Sequence, residues 1–205
     1  MGMHNPGNIS IYCYRNVLKV KKTMEERTTP YSNACSFSDV KPIMMALPYP
    51  PIQVTCRNQA YAGLLSVDYC GSVSELSAIT QYINSENRLS CEKCSIAKTL
   101  LGIAITEMIH LQKLGELIVL LGGNISFTSR QPNGRPRMWT PECLTLADNA
   151  RKMMLVNIES EKAAINQYLM HTKMIKDDCI NAVLARIIKD EEYHIMILQA
   201  LAREV

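Results

Sequence analysis

Aromatic residues are scarce in this chain: one Trp, two Phe and nine Tyr among 205 residues. A core poor in rings and rich in Leu, Ile, Ala and Met suits packed helices. Excess charge is missing too. The net charge is +3 with no long basic run, so nothing argues for a nucleic-acid partner. No stretch reaches the roughly 18–20 uninterrupted apolar residues of a membrane helix. The best candidate, Leu100 to Leu121, is interrupted by Glu107, His110, Lys113 and Glu116, so no membrane span is expected. The first twenty residues lack the apolar stretch of a signal peptide. The chain therefore reads as cytoplasmic, with its eight cysteines mostly reduced thiols. A second C-x-x-C is also absent. Cys91 and Cys94 form one pair, and a zinc or iron–sulfur site would want another at suitable spacing. These two are expected to be non-ligands near a helix start.

What is present is ordinary in bulk: 47% hydrophobic and 20% charged residues, enough chain for one domain with a sizeable core plus an extension. Residues 1–55 carry Pro30, Pro42, Pro48, Pro50 and Pro51 and no sustained apolar period, which predicts an irregular extension, with Pro48 to Val54 a candidate for extended chain lying on the bundle. Residues 56–205 read as helices. The first covers Asn58 to about Glu86, with apolar Leu64, Leu65, Ile79 and Ile83 and a weak point at Gly71. Ser90 is a candidate N-cap for the second, which ends at Gly122-Gly123. Asn124 to Thr140 reads as a loop. Its seventeen residues can reach roughly 50–60 Å when extended, and a thirty-residue helix is about 45 Å long. The loop can therefore run the length of a bundle. Thr140-Pro141-Glu142 reads as the start of the third helix, fading near Lys173. Asp177 or Asp178 caps a fourth helix that runs to about Ala202. The fold expected is all-α: an antiparallel four-helix bundle with one long crossover between its second and third helices.

The most telling feature occurs twice. Glu75, Tyr82, Glu107 and His110 recur as Glu161, Tyr168, Glu191 and His194. The segments starting at Glu75 and Glu161 also match at Ala78 and Ala164, at Ile79 and Ile165, and at Gln81 and Gln167. Seven residues on a helix return almost to the same azimuth, so each Glu shares a face with its Tyr. Glu and His three apart are neighbours on a helix surface. If all four helices aim these faces inward, four carboxylates and two imidazoles meet in the core. One Glu from each of two helices, plus Glu-x-x-His from each of the others, is the ligand set of a two-metal carboxylate site. Without cations such a cluster is very unfavourable, and two divalent ions would offset its four charges. Mixed carboxylate and imidazole donors suit two iron or two manganese ions, with zinc also open.

Glu107 and Glu191 are expected to bridge, Glu75 and Glu161 to be terminal, and His110 and His194 to serve one ion each. Tyr82 and Tyr168 are candidates to donate hydroxyl hydrogen bonds to the carboxylates, and Asp190 to orient a histidine. The rival acids Glu159 and Glu192 fall outside the repeat alignment. Glu116 is expected to be exposed and His171 peripheral. Asp68 is either a supporting residue or a solvated helix end.

With these residues placed, the chain from about Asn58 to Val205 resembles the ferritin-like superfamily, within it the rubrerythrin and manganese-catalase branch. The resemblance implies an oxidoreductase that decomposes hydrogen peroxide or handles dioxygen at two iron or two manganese ions, with an external electron donor in the peroxidase mode. It also implies a homo-oligomer, most simply a dimer. Rubrerythrins usually carry a module with two C-x-x-C pairs, and an extra carboxylate at the position that is Ala164 here. Cage-forming ferritins have a short fifth helix, whereas this chain continues eleven residues past His194. These departures favour a catalase-like mode over a complete rubrerythrin or a storage cage. The alternatives are an iron-oxidising, iron-binding bundle without turnover, and a structural or coat component stapled by metal.

Overall fold

The computed structural model describes residues 35–130 and 134–205; most of the N-terminal extension lies outside them. Among the described residues five α-helices form the frame: α1 (Gln59–Cys70), α2 (Glu75–Leu89), α3 (Cys94–Leu120), α4 (Ala150–Met174) and α5 (Asp178–Glu204). Where one first helix was expected there are two. A Cβ at position 71 would stand 2.5 Å from the Val67 carbonyl oxygen, so Gly71 lets the chain turn out of α1. Ser74 then caps α2 by accepting from the Ser77 amide.

Other boundaries moved for local reasons. Ser90 closes α2 instead of opening α3. The first residue of α3 is Cys94, which a disulfide joins to Cys35 with the Cα atoms 5.4 Å apart. This departs from the expectation of reduced thiols, which holds for Cys56, Cys70, Cys91, Cys143 and Cys179. Thr140-Pro141-Glu142 forms only a 3-10 turn, Pro141–Cys143. The Thr145 amide is then engaged by Gln81 Oε1, and the chain stays irregular until Asn149 caps α4. Asp177 is the cap of α5.

The crossover from α3 to α4 is more than a loop. It carries an antiparallel hairpin of β1 (Thr128–Arg130) and β2 (Pro136–Met138), with Ser129 opposite Arg137. Trp139 follows and donates from Nε1 to Ser77 Oγ of α2. The hairpin has no long apolar alternation, so a sequence pattern could not show it.

The core falls into two apolar clusters. One gathers Leu65, Leu114, Leu117, Tyr168, Leu184 and Ile187; the other gathers Tyr82, Leu100, Ile103, Met154, Ile158 and Leu198. α3 and α4 both run from the second cluster to the first, so a connection along the bundle is required; α5 runs back. A layer of buried polar residues separates the clusters. α3 is long and apolar enough to cross a membrane, yet it is central to this core, with Leu100, Ile103, Leu114 and Leu117 fully buried.

Ahead of α1, residues 35–58 form no helix or strand and lie as a strap against α3 and α5. Close approach is possible because residue 102 is glycine: a Cβ there would stand 2.7 Å from the Ile43 side chain and 2.9 Å from the Lys41 carbonyl oxygen. The Ile43 amide donates to the Gly102 carbonyl at 3.0 Å. Arg186 of α5 holds the strap from the other side through the carbonyls of Met45 and Leu47.

Candidate metal centre

On α3 and α5 the polar pair is delivered by a turn that interrupts an apolar face. On α3, Glu107 and His110 sit between Ile103 and Leu114; on α5, Glu191 and His194 sit between Ile187 and Leu198. Glu75 comes from the first turn of α2 and Glu161 from the middle of α4. The fold brings all six together, and none is more than 3% exposed. Their donor atoms form two groups, Glu75, Glu107, His110 and Glu191, and Glu107, Glu161, Glu191 and His194, each within 4.8 Å. Glu107 and Glu191 belong to both. The two imidazole rings are 6.3 Å apart.

His110 turns Nδ1 into the cluster, 2.8 Å from Glu107 Oε2 and 3.4 Å from Glu191 Oε1. His194 Nδ1 lies 3.0 Å from Glu107 Oε1 and 3.1 Å from Glu191 Oε2. These last three atoms are close but misaligned, and all lack a hydrogen-bond partner. Buried atoms that converge without bonding one another fit shared ligation of a cation between them.

The far nitrogens are fixed by their partners. His194 Nε2 is 2.8 Å from the Ile43 carbonyl, which can only accept, so Nε2 carries hydrogen and Nδ1 is the nitrogen that faces the cluster. His110 Nε2 is 3.2 Å from Asp190 Oδ2. Burial raises the Asp190 carboxyl, but bonds from His110, Arg186 and Tyr49 outweigh it and bring it down to about 2. Asp190 is thus an ionised acceptor for His110. Asp190, a candidate to orient a histidine, lies against His110, across the bundle from its own Glu-x-x-His.

Tyr82 Oη donates to Glu161 and Tyr168 Oη to Glu75, so each tyrosine supports the terminal carboxylate of the opposite half. Burial raises both phenols well above their ordinary value, and the neighbouring carboxylates add to this. Both stay neutral donors.

With protons alone to balance the charge, the cluster holds them tightly. Burial raises the carboxyls of Glu75 and Glu161, and the charges of Glu107 and Glu191 add to it; with all neighbours acting, Glu161 is raised to about 8. Burial lowers His110 and His194, but the adjacent carboxylates outweigh it and raise both well above the usual imidazole range. Burial would raise Glu107; the two imidazoles pull it far down instead. Protons on Glu75, Glu161, His110 and His194 therefore do the electrostatic work that two divalent cations would do.

The other candidates divide cleanly. Glu116 is exposed, and Glu159 and Glu192 are surface partners of Lys162 and Lys189. Cys91 is exposed and unbonded, and Cys94 ties down the strap. Asp68 is no solvated end: it is fully buried, takes Gln167 Nε2 at 2.7 Å and pairs with His171 Nδ1 at 2.8 Å. His171 is correspondingly buried, engaged with Asp68 and not with the cluster.

Sequence reasoning missed the strap's contribution. The Met45 amide and Tyr49 Oη both donate to Asp190 at 2.7 Å. Arg186 and Lys113 sandwich the Tyr49 ring at 4.4 and 4.5 Å. Arg186 also pairs with Asp190 at 2.7 Å, one helical turn away, and that i,i+4 spacing was a readable signal. A backbone carbonyl such as that of Ile43 has none.

A bundle of two helical hairpins that buries four glutamates and two histidines at its centre, with a long crossover, defines a protein of the ferritin-like class. The chain belongs to the rubrerythrin family, whose model matches residues 72–202. Among solved structures it is similar to the manganese catalase KatB from Anabaena, with 22% identity over 78% of each chain and a TM-score of 0.69. It is also similar to two bacterioferritins. That of Rhodobacter capsulatus shows 21% identity over 70% of this chain and 84% of the other, with a TM-score of 0.57. BfrA of Mycobacterium tuberculosis shows 20% identity over 72% and 86%, with a TM-score of 0.60. Among curated proteins no sequence matches this chain. At such identities the structural likenesses speak for the fold.

Proposed function

We propose that the chain holds two iron or manganese ions in this cluster and decomposes hydrogen peroxide. The observation that carries the reading is the pair of buried four-residue groups that share Glu107 and Glu191, each with its donor atoms within 4.8 Å. Glu75 and His110 would complete one ion's ligands, Glu161 and His194 the other's, with Glu107 and Glu191 between them. Bound there, the metals supply Lewis acidity and a store for two electrons.

The protein's own groups do the rest. Tyr82 and Tyr168 fix the rotamers of the terminal glutamates. Asp190 and the Ile43 carbonyl keep hydrogen on both Nε2 atoms and so leave both Nδ1 lone pairs for the metals. Glu75 and Glu161, which line a cavity beside the cluster, would accept protons released from peroxide. A catalase-like mode needs no electron-transfer module, since peroxide serves as both oxidant and reductant. We further propose that the chain works as a homo-oligomer, most simply a dimer. Leu169, Met170 and Met174 near the end of α4 are each about half exposed, as a contact face requires.

Elemental analysis of protein purified from its native host should find about two iron or manganese ions per chain. That material should evolve oxygen from hydrogen peroxide. Failure to evolve oxygen or to consume peroxide with any reductant would sink the reading. Rapid oxidation of ferrous ion with a retained ferric load would favour an iron-binding protein instead.

A further inference from the structure

A cavity of about 550 Å³ lies between α2 and α4 and reaches Glu75, Glu161 and Glu191. It is far larger than peroxide entry requires, since a water molecule takes up about 30 Å³ of liquid. Its size falls in the range of about 300–1,000 Å³ typical of sites for organic ligands.

Small side chains make the room. Ala78 and Ala164 occupy equivalent places in the two halves, each three residues after the terminal glutamate, and both line the cavity. Ala163, Val73, Val156 and Leu155 add apolar wall. A larger side chain at 78 or 164 would take up part of this space.

Besides Glu191 Oε2 of the cluster, one polar group in this wall is without a partner. Asn157 is 2% exposed, lines the cavity one turn before Glu161, and its Nδ2 makes no hydrogen bond. The assignment of that nitrogen follows from the network. The Thr145 backbone amide can only donate, so the Gln81 atom it meets at 2.9 Å is the oxygen. Gln81 Nε2 then donates to Asn157 at 3.2 Å, which must present its oxygen. The Asn157 amide nitrogen is left over. A buried donor left unpaired costs about 1–3 kcal/mol. An acceptor oxygen on a bound molecule would satisfy it.

We infer that this cavity binds small organic hydroperoxides, with the alkyl or aryl body against Ala78, Ala164 and their apolar neighbours. One oxygen of the hydroperoxide accepts from Asn157, and the peroxidic end faces the glutamates. The inference rests on the proposed peroxide chemistry. The organic hydroperoxide takes two electrons and two protons, its O–O bond breaks, and it leaves as alcohol and water. Hydrogen peroxide supplies the electrons and protons and leaves as dioxygen, so that ROOH + H2O2 gives ROH + H2O + O2.

The test uses the full-length, metal-loaded protein and two readouts. The first is equilibrium binding of 2-phenyl-2-propanol, the unreactive alcohol of cumene hydroperoxide. It is followed by fluorescence of the single tryptophan, Trp139, which donates to Ser77 of the cavity wall. Binding should be saturable with a Kd of about a millimolar or tighter. Ala164→Phe should weaken it by about tenfold or more by filling the space, and Asn157→Ala by about fivefold through the lost hydrogen bond. The second readout is consumption of cumene hydroperoxide in the presence of hydrogen peroxide, with matching release of the alcohol. Absence of saturable binding, or unchanged affinity in both variants, overturns the inference. Turnover of hydrogen peroxide but not of cumene hydroperoxide overturns it too and leaves the proposed function standing; inactivity toward both defeats both.

Discussion

The two halves of the centre match in their ligands and differ in what stands behind them. Each half contributes a glutamate, a tyrosine and a Glu-x-x-His pair. Behind His110 is a side chain, the ionised carboxylate of Asp190, itself gripped by Arg186, Tyr49 and the Met45 amide. Behind His194 is a backbone carbonyl, that of Ile43 in the strap. The residue equivalent to Asp190 in the first half is Thr106, and its hydroxyl donates to that same carbonyl at 2.9 Å. The strap has taken the place of the missing acid. Duplicated helices preserve the clustered glutamates and histidines, whereas an orienting acceptor can come from any nearby group of the right chemistry. The difference also predicts unequal halves: His110 is held by a charge inside the bundle, His194 by a segment laid on from outside.

The most severe way to erase the comparison is to remove what both halves share. Glu107→Ala or Glu191→Ala takes a carboxylate from both four-residue groups at once. Either change should lower metal content from about two ions per chain to near none. Loss of Glu75 or Glu161 should affect one ion more than the other. Full occupancy measured by elemental analysis in both of the first two variants would refute the ligand assignment.

Acid should show where the halves are alike. His110 with Glu75, and His194 with Glu161, each hold protons that a metal must displace. Metal affinity should therefore rise steeply with pH, each displaced proton contributing about tenfold per unit. Metal-free protein should behave in the opposite sense. Its folded state keeps protons on Glu161 up to about pH 8, whereas an unfolded chain gives up a glutamic proton near 4.5. The raised histidines likewise lose their stabilising contribution as pH rises beyond the ordinary imidazole range. Stability of the metal-free protein should thus fall from mildly acidic pH toward pH 8, by roughly 1 kcal/mol per unit for each excess proton. Glu107, pulled down, adds stability above its ordinary pKa and loses it only in strong acid. Thermal melts with and without metal at pH 6 and pH 8 decide this. Equal pH dependence of the two forms would contradict the proton-for-metal exchange.

A sharper cut separates the two supports. Asp190→Asn should weaken the ion beside His110 by about 10–100-fold, the usual cost of losing an orienting carboxylate. Gly102→Ala should act on the other ion. The added methyl would meet Ile43 at 2.7 Å, push the strap off α3 and draw its carbonyl from His194. A loss of about tenfold is expected there. Chelator competition that resolves two successive affinities would show opposite ions affected. The same ion weakened by both variants would mean that the supports are not separate.

How much of this could be read beforehand follows from the same distinction. The burial of four glutamates and two histidines together was legible because their chemistry is rare in a core and occurs twice at matched spacing. The antiparallel frame was legible from apolar period and from the reach of the crossover. The break at Gly71 was visible as a weakness, but a close contact with the Val67 carbonyl made it a helix end. The start of α4 was misplaced because Thr140-Pro141-Glu142 has every local signal of a helix, and a tertiary bond from Thr145 to Gln81 draws the chain away. Asp68 and His171 each looked peripheral alone; only the fold joins them. The strap was least legible of all. Its proline content reads as irregular chain, and its main contribution to His194 is a carbonyl that every residue possesses.

The smallest change tests whether the strap matters on the His110 side as well. Tyr49→Phe keeps the ring between Arg186 and Lys113 and removes only the hydroxyl that donates to Asp190 at 2.7 Å. Asp190 would still be held by Arg186 and the Met45 amide, so its charge and position should largely persist. The lost bond to a charged acceptor is worth roughly 1.5–3 kcal/mol where it is complete. Only part of this should reach the metal, because two other donors remain. A fall of about threefold in affinity for the ion beside His110 is expected, with none at the other. A loss as large as that of Asp190→Asn would mean that Tyr49, and through it the strap, carries the orientation of both histidines. The asymmetry between the halves would then lie in which strap atom is used, a phenol for His110 and a carbonyl for His194.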